Sequence, residues 1–221
     1  MRISTHWLKD FVPLSPPLER IADRLTMAGL EVKRIEPLTL IKEKDVIFEI
    51  EVTPNRPDWL SHLGVAREIA AVRNLSLKLP PVDKTAGRPV PPGWKINLKE
   101  ADGCPYYTAI YMEGVQPAPT PDLIRDRLQA CGLRSISLLV DITNYVLLEI
   151  GQPLHAFDAD LLAGKEIQVR RAKAAEKMTM INGSELTLSA SDLVIADGER
   201  PVALAGQSDY AVCPSVGIEH R

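Results

Sequence analysis

The chain has 221 residues, 45% hydrophobic and 25% charged, with a formal net charge of -3, a composition that suits one large or two small soluble domains. The slightly acidic balance argues against a protein that coats nucleic acid without specificity, although 26 Lys and Arg could still cluster locally. Three widely spaced cysteines, Cys104, Cys131 and Cys213, with no CxxC, predict a reducing compartment and neither a disulfide framework nor a zinc site. The start MRISTHWLKDF has no apolar h-region and no long apolar run follows, so no signal peptide or membrane span is expected and the cytoplasm is the expected location.

In chain order, SPPLERIADRLTMAGLEV predicts a helix opened by Ser15, Pro16 and Pro17 and closed by Gly29, with Leu18, Ile21, Ala22, Leu25 and Ala28 on its buried face. DVIFEIEV alternates and predicts a half-buried strand with Val46, Phe48, Ile50 and Val52 inward. TPNRPDWLSHLGVAREIAAV turns through Pro54 and Pro57 into a second helix, with Leu63, Ala66, Ile69 and Ala70 inward. Five prolines between Pro80 and Pro92 mark a linker. Beyond it come a strand around YYTAIYMEGV, a helix between Thr120-Pro121 and Gly132, and another helix from near Ser137 through LLVDITNYVLLEI. KEIQVRRA, a hairpin centred on Asn182-Gly183, and a strand pair DLVIAD and PVALAG joined at Gly198-Glu199-Arg200 complete the pattern. The fold class is therefore α+β. Residues 1–85 are expected to form a small helix–strand–helix domain, 86–96 a Pro-rich linker, and 97–221 a second α+β domain. PVALAG is expected to present an unpaired edge or an exposed apolar face.

The polar constellations are weak by themselves. A lone histidine beside a proline, such as His155 in GQPLHAFD, more often caps or faces solvent than catalyses. No HExxH, Walker loop or GxGxxG occurs. Asn55 and Asp58 could simply cap the Pro-rich turn. Arg170, Arg171, Lys173 and Lys177 read as a solvated strand face, with the two arginines on opposite sides.

The residues themselves go further. STHWLKDFV, LTMAGLEV, EIEVTPNRPDWLSHLGVAREIAA, GLRSISLLVDITNYVLLEIGQPLHAFDAD and DLVIADGERPVALAG resemble, in order, successive motifs of the amino-terminal part of the bacterial phenylalanine–tRNA ligase beta subunit. Three departures stand out. Family members usually insert an OB-fold tRNA-binding module before the strand leading to TPNRPD, and LEVKRIEPLTLIKEKDVIFEIEV leaves no room for it. After PVALAG the family continues with a Met-Gly-Gly turn and a glutamate of the editing pocket, whereas this sequence reads QSDYAVCPSVGIEHR, as a chain truncated within the editing domain would. Ser137 stands where a larger polar side chain is common.

The resemblance implies an editing-type domain that hydrolyses tyrosine wrongly attached to tRNA(Phe). A pocket shaped for phenylalanine rejects an isostere with one extra hydroxyl by only about a hundredfold, so a second pocket that hydrogen-bonds that hydroxyl is needed. By resemblance, His155, Thr143 and Asn144 would act on the ester, His155 ordering the attacking water or bonding the terminal adenosine. Arg134, Gln152 and Gly206 would contribute to substrate binding, Arg134 by charge-assisted hydrogen bonds. No metal site or cofactor is expected in this chain; ATP and magnesium would belong to the complete ligase. The implied partners are the acceptor end of tRNA(Phe) and the ligase alpha subunit, with no DNA and no membrane. The other reading is a non-catalytic scaffold that docks RNA or a synthetase.

Overall fold

The computed structural model describes residues 1–15, 17–39, 44–82, 91–180 and 183–205. It is an α+β protein made of two compact units, each built from two stretches of chain: 1–82 with 117–154, and 83–116 with 155–221.

The first unit is organised on a three-stranded antiparallel sheet in the order β1-β3-β2, with β1 Arg2–Ser4, β2 Val32–Leu38 and β3 Asp45–Ile50. β3 is not half-buried as its alternation suggested. Phe48 and Ile50 face the main core, but Ile47 is also fully buried, in a small cluster with Leu38 and Ala130. The strand is covered on both faces because the helix containing Ala130 lies over the second one. Helix α1 (Thr5–Leu8) follows β1 directly, with the Ser4 hydroxyl accepting from the Trp7 N–H. Helix α2 (Leu18–Met27) buries Ile21, Ala22 and Leu25, but Ala28, expected inward, is exposed, and Gly29 ends the helix at φ +102°. Helix α3 (His62–Arg73) starts where the Ser61 hydroxyl accepts from the Gly64 N–H, and ends at Asn74 in the left-handed region. Gly64 is required there. A Cβ at that position would lie 1.9 Å from the Asp58 carbonyl oxygen of the preceding 3-10 turn, Pro57–Trp59.

That turn carries the TPNRPD residues. Arg56 grips Asp58 with two hydrogen bonds of 2.9 and 2.8 Å, reaches Glu68 and lies 3.5 Å over the Trp59 ring. Trp59 donates its indole N–H to Glu68. Asp58 therefore pairs with an arginine across the turn, and its hydrogen bonds with Arg56 hold its carboxyl below the usual range.

Two further helices complete the first unit: α4 (Asp122–Ala130) and α5 (Leu138–Ile150). The expected division at residues 86–96 does not match the packing. Leu128 and Ala130 are buried, and Tyr145 and Leu148 pack against the core of Trp7, Phe11 and Phe48, so 117–154 joins the amino-terminal stretch instead of the later strands. Residues 86–90 of the expected linker lie outside the described residues.

The second unit holds a four-stranded sheet in the order β4-β5-β8-β9. β4 (Lys95–Leu98) runs parallel to β5 (Glu166–Arg171), and β8 (Leu193–Ala196) pairs antiparallel with both β5 and β9 (Pro201–Leu204). One face packs Val194, Ala196 and Leu204 against Met178 and Leu188 around the hairpin β6 (Lys177–Thr179) and β7 (Glu185–Thr187). On the other, Ile167, Ile195 and Val202 meet Leu162, Phe157, Trp94 and Tyr107. The hairpin is where Asn182-Gly183 placed it, though Asn182 itself lies outside the described residues. All four residues of β9 are buried, so the strand shows no exposed apolar face, but it ends the strand order and its outer edge is unpaired among the described residues, the other expectation for PVALAG. The strand expected around YYTAIYMEGV does not form among the described residues, where no neighbouring strand lies beside the segment.

Three of the four basic residues of the cluster that begins in β5, Arg170, Arg171 and Lys177, are paired with acids. Arg170 makes two hydrogen bonds to Glu176 at 2.9 and 2.7 Å, Arg171 pairs with Glu100, and Lys177 pairs with Glu185. Those hydrogen bonds from Arg170 pull the Glu176 carboxyl down to about 2.

Candidate functional site

Helix α5 and the loop before it carry three of the six site residues named from the sequence, Arg134, Thr143 and Asn144. Asp141 fixes both. It is the one fully buried residue of the helix, and its carboxylate accepts from the Thr120 hydroxyl, from the Ser135 hydroxyl at 2.5 Å and from the Ile136 N–H at 2.9 Å. Burial alone would raise this carboxyl, but these bonds outweigh it and hold the group below its ordinary value. Thr120, expected to cap α4, is thus used across the fold to hold α5. Gly132, at φ +88°, ends α4 and turns the chain into the loop.

Arg134 sits on that loop beside the two anchored residues, and it is exposed, with no hydrogen bond or ion pair to the described residues. Ser137 begins α5 with extended backbone, and its Oγ is buried without a hydrogen-bond partner among the described residues. Thr143 donates its hydroxyl to the Val140 carbonyl at 2.8 Å, so its proton is held by its own helix while its lone pairs remain available. Asn144, half-buried, makes no side-chain hydrogen bond to the described residues. Gly151 closes α5 in the left-handed region at φ +81°. Gln152 beyond it is exposed and, among the described residues, reaches only the Pro153 carbonyl, at 3.5 Å.

Arg134, Thr143, Asn144 and Gln152 therefore share the first unit, which ends at Leu154. His155 opens the second stretch of the second unit. It is half-buried, its ring stacks on Phe157 with centroids 6.0 Å apart, and Phe157 packs against the sheet. Burial lowers its pKa below 6.5, so the imidazole is neutral near pH 7. Gly206 lies outside the described residues.

Sequence reasoning did not single out His62, which is fully buried in the first unit. Its Nε2 accepts from the Ser4 N–H at 3.1 Å, its Nδ1 lies 2.8 Å from the Leu148 carbonyl, and its ring stacks on Trp7 at 4.0 Å. That pattern requires the neutral tautomer with the proton on Nδ1. Burial pushes its pKa down to about 4. His62 ties β1, α3 and α5 together, which is a structural role. Nearby, Arg127 pairs with Asp10 at 2.5 Å and with the Tyr145 hydroxyl at 2.7 Å. Asp197 does in the second unit what Asp141 does in the first: buried between β8 and β9, it accepts from the N–H groups of Ala163, Glu199 and Arg200. An aspartate before glycine between two strands is a readable turn signal. Among the described residues no group of three His, Cys, Asp or Glu could hold a metal ion, and no helix is long and apolar enough to cross a membrane.

Comparison with known proteins places these features. Residues 103–210 match the B3/4 domain family. Over most of its length the chain is similar to the phenylalanine–tRNA ligase beta subunits, of which it matches a part. It is 52% identical to the beta subunit from Geobacter metallireducens over 164 residues, which is 74% of this chain and 20% of that subunit. It is 44% identical to the one from Nitratidesulfovibrio vulgaris over 198 residues, 89% of this chain and 23% of that subunit. The chain thus spans about a fifth of the length of these curated relatives. A crystallised amino-terminal fragment of the phenylalanyl-tRNA synthetase beta subunit from Pyrococcus horikoshii is similar at 15% identity and a TM-score of 0.45, covering 93% of this chain and 61% of that one.

Proposed function

We propose that this chain serves tRNA aminoacylation as the proofreading part of a phenylalanine–tRNA ligase beta subunit, binding the acceptor end of tRNA(Phe) and hydrolysing tyrosine attached to it. The observation that carries this reading is the contrast around α5. Asp141 ties down Thr120, Ser135 and Ile136, while the guanidinium of Arg134 and the carboxamide of Asn144 are left without partners among the described residues. Two polar side chains unspent among the described residues suit a ligand rich in phosphate and hydroxyl groups. A histidine kept neutral near pH 7 suits a water-activating or adenosine-binding role. Charging itself, with its ATP and magnesium, is assigned to the rest of the ligase, with the alpha subunit as partner.

The test is a deacylation assay on Tyr-tRNA(Phe) and Phe-tRNA(Phe), with wild type beside His155→Ala and Asn144→Ala. Slow hydrolysis is expected, reduced by His155→Ala by about 10² to 10⁴ if the imidazole assists as a general base. Because the folded pKa of His155 lies below 6.5, the rate should be level from neutral pH upward and fall only in acid. No hydrolysis by wild type, with tRNA binding retained, would replace this reading with that of a non-catalytic RNA- or synthetase-binding scaffold. The hydroxyl that Thr143 already donates to Val140 favours that second reading.

A further inference from the structure

Helix α2 sorts its charges. Glu19 and Asp23 stand one turn apart on one flank of the buried stripe of Ile21, Ala22 and Leu25, and Arg20 and Arg24 stand one turn apart on the other. Like charges at that spacing repel, whereas an acid and a base there would attract. Both arginines are exposed, and neither makes a hydrogen bond or ion pair to the described residues. The helix dipole accounts for Arg24, which lies in the last turn, but not for Arg20, which lies in the first, where a cation is disfavoured.

The two arginines line a cleft of about 180 Å³ in the first unit, together with Ser15 and with Arg73 from the last turn of α3. Arg73 is anchored by one hydrogen bond, from Nη1 to the Pro13 carbonyl at 3.2 Å, and its other donors are unspent among the described residues. The Ser15 hydroxyl does not cap α2, which opens at Pro17 with no side chain bonded to its first N–H groups. Pro17 also lines the cleft, so the positive end of the helix adds to the three guanidinium groups. No carboxylate lines it among the described residues. Pro16, outside those residues, brings no charge.

We infer that this cleft is a phosphate site, which takes a backbone phosphate of RNA bound by the chain. It rests on the reading of tRNA binding above, and adds a contact that none of the α5 residues makes. The cleft is smaller than the roughly 300–1,000 Å³ that enclose a drug-sized ligand, so it admits one ionic group of a larger molecule. Its cations come from α2 and from α3. The tetrahedral oxygens of a phosphate accept from several directions, whereas a planar carboxylate accepts near its own plane, so RNA fits the three arginines better than an acidic protein segment does. In a chain of net charge -3, such a local cluster is what draws a polyanion.

The test titrates unacylated tRNA(Phe) with the whole chain by fluorescence anisotropy, between about 50 and 200 mM salt. Arg20→Gln/Arg24→Gln should weaken binding by about tenfold and lower the slope of log affinity against log salt by about 1. Its urea midpoint should not fall, because neither side chain is bonded within the protein. Lys9→Gln/Lys44→Gln removes the same charge from two exposed lysines of the first unit and should leave the slope as it is. A double arginine variant with wild-type affinity and slope overturns the proposal, as does a wild-type chain that binds no tRNA. A variant that keeps tRNA but loses a poly-glutamate peptide overturns it in favour of an acidic protein partner. Deacylation of Tyr-tRNA(Phe) separates this site from the proofreading reading. Binding through these arginines without hydrolysis leaves the cleft and removes proofreading, and hydrolysis with unchanged binding by the arginine variant removes the cleft alone.

Discussion

Lowering the pH from about 7.5 to about 5 should cost the first unit about 2 kcal/mol through His62 alone, at 1.36 kcal/mol per pH unit below 6.5. In the unfolded chain this imidazole takes up a proton near its ordinary value of 6.5, whereas burial against Trp7 holds the folded pKa down to about 4. Above pH 6.5 both states are neutral and the stability is full. Between 6.5 and 4 only the unfolded chain binds the proton, so stability falls with pH. Below the folded value the loss levels off at about 3 kcal/mol. Urea unfolding followed by tryptophan fluorescence in a Trp94→Phe background isolates the first unit, because Trp7 and Trp59 both belong to it. His62→Gln should cost about 1–3 kcal/mol at neutral pH by removing the stack and the acceptor for the Ser4 N–H, but it should also flatten the pH dependence. Glu149, raised by burial, and Asp141, held low, titrate in both proteins, so the difference between the two slopes belongs to His62. A variant that keeps the full wild-type slope would refute the reasoning.

Gly64→Ala should destabilise the first unit by about 3 kcal/mol or more, since the added carbon lands on the Asp58 carbonyl and only movement of the turn can relieve it; the urea midpoint measures this. Glu176→Gln leaves the largely buried Arg170 without its counter-charge and should cost the second unit about 3 kcal/mol at neutral pH. The Glu176 carboxyl is held near 2, so this contribution is present above about pH 4.5 and is lost as pH falls toward 2; an acid titration of Trp94 fluorescence should show that loss in wild type and its absence in the variant. Asp141→Ala should cost about 1–3 kcal/mol, and the amide of Ile136, deprived of its acceptor, should exchange faster while the α3 amides remain protected.

Helices α2, α4 and α5 were legible because an end of each is chemically marked: Gly29, Gly132 and Ser137 stand at or next to the boundaries the structure shows. The hairpin of β6 and β7 and the pair β8–β9 were legible for the same reason. β1 and β2 were not. Arg2–Ser4 is three residues long, and VKRIEPL lacks clean alternation and contains Pro37; both are strands because β3 lies beside them. The converse holds at YYTAIYM, where the alternation is present but no partner strand lies beside it among the described residues. Nothing local could show that α4 and α5 join the amino-terminal stretch, since that depends on Leu128, Ala130 and Tyr145 meeting residues far away in sequence. The candidate site residues came from family resemblance, because pattern alone weighed against His155. Asp141 did leave a trace, as a lone acid inside the apolar run LLVDITNYVLL, which is a cue for a buried and fully bonded carboxylate.

The two-part construction of the first unit has a consequence for synthesis on the ribosome. Asp10 is translated long before Arg127, its partner 117 residues later, and the indole of Trp7 waits for the ring of Tyr145 that stacks on it at 4.6 Å. At about 5–20 residues per second, the amino-terminal 82 residues spend several seconds outside the tunnel before α5 follows. During that interval the sheet face at Ile47 and the core at Trp7 lack the helices that cover them. A nascent chain stalled before residue 117 would therefore be a substrate for chaperones and proteases, and one stalled after residue 154 would already hold every piece of its first unit.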